Sequence, residues 1–423
     1  MRWGPAVLLL LVARGASAGS IDAEPRPASL LLKTVLGLLL LMALVWFGGL
    51  PAVRRFEERV GVRQVITGGL PFIVLGLIAG HSSVGILDGE VLHDLTPIVD
   101  FALGWLGLII GFQFDVRVLE RAPRGTALDV ALRSLIPFVT VGLAGSMVML
   151  AFGESRTDAT FLRDAIVLAT AGAITASSRA DRPGIWNPGE SDRDLVRRLE
   201  FFDEIVAIAG LAVLGAFFRP RWVEFRWDLP GTVWLLLTLG VGASVGLLTY
   251  AVVAGYRRGA QFLALCLGSV AFASGIAGYL LLSPPVVCFI AGTLLVNLPG
   301  AHRRRVWTIL TRLERPLYYL FLTIAGALWD ITGWRGWVLV PVFIASRGLG
   351  NFLAETLVRR DADRKEPTLR PILWLAPPVS IVSIAIVISA QSMYRGRAVS
   401  WIVTAVLGGA ILSELLHRRG VKR

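Results

Sequence analysis

Few residues of this chain can do chemistry, and those that can are charges set within long apolar runs. Asp203 and Glu204 stand side by side in LEFFDEIVAIAGLAVLG, and Arg347 lies midway along PVFIASRGLGNFLAE. An ionisable group at depth in lipid costs at least about 2.5 kcal/mol, so it either lines a pathway or has a partner. A guanidinium keeps its proton at every accessible pH, so Arg347 needs a counter-ion, and Asp203 and Glu204 are the natural candidates. Neighbours on a helix point about 100° apart, so only one of the two acids faces a given cavity. A carboxylate held between desolvation and a nearby cation can bind a proton or a small hard cation, but not both at once. That exclusion is the simplest physical basis for exchanging one ion against the other. The competing reading is an acid pair at a helix start, where the macrodipole favours an anion, with Arg347 as a structural buttress.

Helix interruptions point to the same region. Pro377 and Pro378 remove backbone bonds that only neighbouring protein can replace, and LATAGAITASSRADRPG combines Gly172 with the hydroxyls of Thr175, Ser177 and Ser178. Taken alone, those hydroxyls would bond back to their own helix. Lys33, Asp100, Arg133, Arg163 and Glu414 fall within or at the edges of apolar runs and are expected to be structural, with Asp100 the exception to watch. Gly242 and Gly246 predict close helix packing. His81, His93, His302 and His417 fall in predicted loops or the tail, and no Ser-His-Asp set, HExxH or phosphate loop occurs, so no enzyme is expected. Cys266 and Cys288 lie in apolar runs and fit packing rather than a metal site or disulfide, and no cofactor is expected.

The elements that must position these residues are membrane helices. Hydrophobic residues make up 55% of 423 positions and charged ones 17%, a balance that calls for a lipid bilayer as partner. The net charge of +12 would suggest nucleic acid in a soluble protein, but the basic residues sit in loops between apolar segments, so no nucleic acid is expected. Hydropathy predicts an all-α protein of about thirteen spans. They lie near 28–47, 64–80, 95–113, 127–152, 160–177, 199–218, 231–254, 260–280, 284–298, 316–333, 336–357, 369–390 and 397–416. Residues 1–18 read as a signal peptide, with an apolar run and then Ala16, Ser17 and Ala18 before the cut. With the amino end outside, alternate loops should be basic, and Arg54, Arg55, Arg59 and Arg63, then Arg303, Arg304 and Arg305, fall where that requires. The expectation is a multi-pass inner-membrane protein with a membrane domain over 28–417 and a basic cytoplasmic tail over 418–423.

Two segments repeat. PFIVLGLIAG, from Pro71 to Gly80, matches PPVVCFIAG, from Pro284 to Gly292, and each precedes a helix whose glycine is followed four residues later by an acid: Gly111 and Asp115 in GFQFD, Gly326 and Asp330 in GALWD. The pairs link span two with nine and span three with ten, an odd offset that inverts one half relative to the other. Inverted repeats of about 28–218 and 260–417, joined by a linker helix near 231–254, are the architecture of transporters that alternate access around a midplane site.

With these marks the sequence resembles the sodium/hydrogen exchanger family, in its cation:proton antiporter-2 branch, which includes potassium-efflux antiporters. The resemblance is carried by PFIVLGLIAGHSSVGIL, LGLIIGFQFDVRVLERA, ATAGAITASS, FFDEIVAI, VVCFIAGTLLVN, YLFLTIAGALWDI and ASRGLGNFL, in the family's order. It implies a homodimer with thirteen helices and an inverted-repeat antiporter fold, in which spans five and twelve are broken and cross. It also implies Glu204 as the ion-binding carboxylate, Asp203 beside it, Arg347 as the basic residue of the eleventh helix, and Thr175 and Ser177 as broken-helix polar residues with Ser380 opposite. Three positions depart from the family's pattern: Glu204 stands where Asp is usual, Asn351 where a basic residue is frequent, and LAPPVSIVSIAI lacks the Gly-Glu of the twelfth helix. The expected function is exchange of sodium or potassium for protons across the inner membrane. The alternative is a transport-inactive membrane partner or sensor that keeps the fold.

Overall fold

The computed structural model describes residues 28–48, 65–81, 84–121, 126–154, 158–174, 204–219, 229–255, 259–300, 302–361, 379–394 and 396–421. The first half comprises Ala28–Gly48 (α1), Val65–Gly80 (α2), Gly89–Asp94 (α3), Thr96–Gln113 (α4), Val116–Glu120 (α5), Thr126–Ala151 (α6), Ala159–Gly172 (α7) and Glu204–Phe217 (α8). The second comprises Gly231–Gly255 (α9), Gly259–Tyr279 (α10), Pro284–Asn297 (α11), His302–Ala327 (α12), Trp334–Asp361 (α13), Ile381–Met393 (α14) and Arg397–Val421 (α15). Each predicted span has a helix in its place, and the short α3 and α5 fall between spans. Among the described residues five stretches are long and apolar enough to cross a membrane: Thr96–Val118, Leu128–Ala151, Gly231–Val253, Gln261–Tyr279 and Trp334–Val358. Others, such as α8 and α11, are shorter, as helices walled by protein can be.

Span ten differs most from expectation, since α12 begins at His302 rather than near 316 and ends at Ala327 rather than 333. Its first half, HRRRVWTILTRLER, carries too much charge for a hydropathy window. Helical spacing nevertheless puts Val306 and Leu310 in the core while Arg304 and Arg305 face out. His302, expected in a loop, is the buried first residue of this helix. At the carboxyl end, α15 continues to Val421 and takes Arg418 and Arg419 of the expected tail into its last turns. The signal segment 1–18 lies outside the described residues, as do Arg54 to Arg63.

Packing carries the marks of the inverted repeat. Span two (α2) lies against span ten (α12) at glycines: a Cβ at Gly80 would sit 2.6 Å from the carbonyl oxygen of Ala327, and Gly76 and Gly326 abut the backbones of Thr323 and Ile73. Span three (α4) meets span nine (α11) in the same manner, with Gly107 and Gly111 against the backbones of Pro285 and Phe289, and a Cβ at Gly292 2.6 Å from the Leu108 carbonyl oxygen. Exchanging two for nine and three for ten turns one contact into the other. Both helices also end alike. Asp115 Oδ1 accepts from the N–H of Arg117 at 3.1 Å, and Asp330 Oδ1 accepts from the N–H of Thr332 at 3.0 Å, so each repeated acid closes a turn just past its helix. Gly242 and Gly246 of α9 pack against Ile290 and Ala291 of α11, which is the close packing their spacing predicts.

Candidate functional site

The interruption of span five is the centre of the site. Helix α7 runs to Gly172, where a Cβ would meet Val141 of α6 at 2.7 Å, and Ala173 caps it by donating its N–H to the carbonyl of Thr170. A helix that ends inside protein leaves carbonyl oxygens unpaired and a partial negative charge at its end. Arg347 meets both needs. It is 1% exposed, and from α13 it donates Nε to the carbonyl of Gly172 at 3.2 Å and Nη2 to that of Ile174. Two partners of this buried guanidinium are thus backbone carbonyls at the end of α7, which the sequence alone did not indicate, while Asp203, one of its two expected acid partners, lies outside the described residues.

Glu204 is the first described residue of α8 and is 3% exposed. Its helix carries a buried stripe through Ala207, Leu211 and Leu214, the spacing that turns one helix face inward. Gly210, between these positions, packs on Thr170, with room for a Cβ only 2.9 Å from Thr170 Cγ2, so α8 runs close along the last turn of α7. Ser380 is the N-cap of α14: its buried hydroxyl accepts from the N–H of Val382 at 3.3 Å, and α14 packs on α7. The carbonyl end of one interrupted span and the capped start of the other thus lie in one helix group, with Arg347 and Glu204 contributed from α13 and α8. Asp203, Thr175, Ser177, Pro377 and Pro378 lie outside the described residues.

Other charges are placed elsewhere. Lys33 reaches Asp88 at 3.4 Å and Arg133 reaches Glu355 at 3.0 Å, the structural uses expected of them. Asp100 turns to the α10 side of α4, where a Cβ at Gly278 would lie 2.8 Å from its Oδ2. Two buried acids escaped the sequence reading, one of them Glu314 of α12, 7% exposed, which accepts from the Tyr318 hydroxyl at 2.6 Å. Asp164, 4% exposed, sits near the far end of α7 and accepts from Arg163 Nε at 2.7 Å, while the Arg163 guanidinium lies 4.7 Å from the centre of the Tyr394 ring. The signal was present as an adjacent Arg-Asp pair inside FLRDAIV, where opposite charges cancel in a charge count but not in the cost of burial. Among the described residues no His, Cys, Asp and Glu cluster could hold a metal ion.

No protein-family model matches this chain, and no curated protein does. Solved structures do. The sodium proton antiporter MjNhaP1 from Methanocaldococcus jannaschii, in its structure at pH 8, aligns with a TM-score of 0.61 and 15% identity over 92% of this chain and 97% of that one. Its electron-microscopy structure gives 0.59 and 16% over 91% and 94%. At such identities what is shared is the path of the backbone, and it is shared along nearly the whole of both chains. With its paired glycine crossings, the chain has the multi-pass membrane fold seen in the sodium proton antiporter MjNhaP1.

Proposed function

We propose that the protein exchanges a monovalent cation, sodium or potassium, for protons across the inner membrane by alternating access, with Asp203 and Glu204 as the ion- and proton-binding acids. The observation that carries this reading is the interrupted end of α7, capped by the buried Arg347 and flanked by α8 with Glu204 at its head, within an antiporter fold. Arg347 is a fixed positive charge that holds the break in place. Glu204 lies in the first described turn of α8, and its burial raises the cost of its charge. A carboxylate so placed is best served by taking either a proton or a cation, and the hydroxyls of Thr175, Ser177 and Ser380 would complete a coordination shell for the cation. Ser380 spends one lone pair on the Val382 N–H and keeps its remaining capacity for a ligand. The working assembly in this reading is a homodimer, with the amino end outside and the carboxyl end cytoplasmic.

The test is cation-triggered proton release from everted vesicles acidified inside and loaded with a pH-quenched dye, with sodium added first and then potassium. Recovery of fluorescence with either ion supports exchange and names the ion. Folded protein that responds to neither supports the partner or sensor reading, which is motivated by the departures at Asn351 and in LAPPVSIVSIAI.

A further inference from the structure

Helix α8 begins at Glu204 and ends among residues that the candidate site does not use. Arg219, just past that end, lays its guanidinium 3.3 Å from the centre of the Trp234 ring on α9 and donates Nη2 to the carbonyl oxygen of Leu280 at 2.7 Å. Leu280 follows the end of α10, and the next residue, Leu281, has φ of 53°. A leucine in the left-handed region is strained and persists only where its surroundings hold it. Beneath the guanidinium, Ala216, Trp234, Ala277, Leu282 and Val287 form a small apolar cluster separate from the main core. The cluster joins α8 to α9, α10 and α11.

This seam differs in kind from the glycine crossing of α4 and α11. There, an added Cβ at Gly107, Gly111 or Gly292 would run into backbone. Where α8 meets the α10–α11 side, a Cβ at Gly215 would meet Ser283 atoms at 3.6 and 3.7 Å, ordinary contact, although on the α9 side Phe217 packs tightly on Gly231. The α10–α11 side is thus tightly bound to α4, while α8 rests on it through small side chains, one hydrogen bond and one cation–ring contact. The seam lies at the opposite end of α8 from Glu204, about 20 Å away along the axis.

We propose that Arg219, held by Trp234 and the Leu280 carbonyl, is a releasable latch that closes the protein on the face where α8 ends, and that its release opens that face to Glu204. The proposal rests on the alternating-access reading, but its test does not need transport. A cysteine placed at Ala216, against an unmodified background whose Cys266 and Cys288 are buried, is labelled with a membrane-impermeant maleimide in right-side-out and in everted vesicles. Labelling from the face of the latch is expected to be slow with Arg219 present and about five- to tenfold faster with Arg219→Gln, the size set by losing one cation–ring contact and one charged hydrogen bond. Trp234→Leu should act in the same direction and serves if Arg219→Gln fails to accumulate. A control cysteine at Ala171, buried in α7, should not change. Unchanged labelling at position 216 in either folded variant, or an equal rise at position 171, overturns the latch, the latter because it reports general loosening. Absence of exchange in the native protein together with the expected labelling pattern would count against the antiport reading and leave the latch standing.

Discussion

Arg347 does at the residue scale what no neutral side chain can, because it answers two buried carbonyl oxygens and the negative end of a helix at once. Arg347→Gln should leave at least one carbonyl unpaired and lower stability by about 2–4 kcal/mol, while Arg347→Lys, with one compact head group, should fall between. Thermal unfolding in detergent reads both, and an unshifted midpoint for Arg347→Gln would deny the capping role. His302 makes a second, pH-dependent claim in the charged first turn of α12, ahead of the apolar run that starts near 316. Burial, joined by the nearby Arg303, pushes its pKa below the ordinary 6.5, although its Nε2 lies 3.0 Å from the Leu295 carbonyl oxygen. The unfolded chain therefore takes up the proton first as pH falls, so the stability this residue contributes is complete above 6.5 and is lost as pH falls through its lowered value. Comparing melting midpoints at neutral and mildly acid pH, the drop should be smaller in His302→Gln than in the native protein, and an equal drop in both would refute the assignment.

Among elements, the mirrored glycine crossings set the frame in which the interrupted helices are held. Gly76→Ala or Gly107→Ala forces a methyl into the backbone of the partner helix and should cost about 1–3 kcal/mol, whereas Gly240→Ala and Gly268→Ala, where a Cβ meets nothing, should be neutral or stabilising. Detergent melting curves of the four variants decide it, and matched behaviour across the set would mean that the crossings are not tight. Much of this frame was legible in sequence because both of its ingredients leave local marks: apolar length for the helices, and a repeated IAG with a glycine and acid following for the crossings. The first half of α12 was not legible, since alternating arginines mask an apolar stripe from any average over a window. Asp164 was hidden by the same averaging. Glu204 and Arg347 stood out as charges in apolar surroundings, but the partners of Arg347 could not be read, because every residue has a carbonyl and only the chain's path shows which two are left unpaired.

For the whole molecule, the backbone path is shared with a sodium proton antiporter along nearly the whole of both chains, and the site's few charges sit within that fold. The odd offset of the repeat, read from two short matches, is the feature that ties sequence to this architecture, because inversion is what gives two equivalent states of opposite access. The site's acids then determine whether that motion moves ions. Purified protein reconstituted into proteoliposomes, native and Glu204→Gln side by side under an imposed proton gradient, measures this most directly as sodium- or potassium-dependent decay of the gradient. The prediction is cation-dependent decay in the native protein that is abolished in Glu204→Gln at equal folding and reconstitution. Equal decay in both, or none in either, would contradict exchange at Glu204.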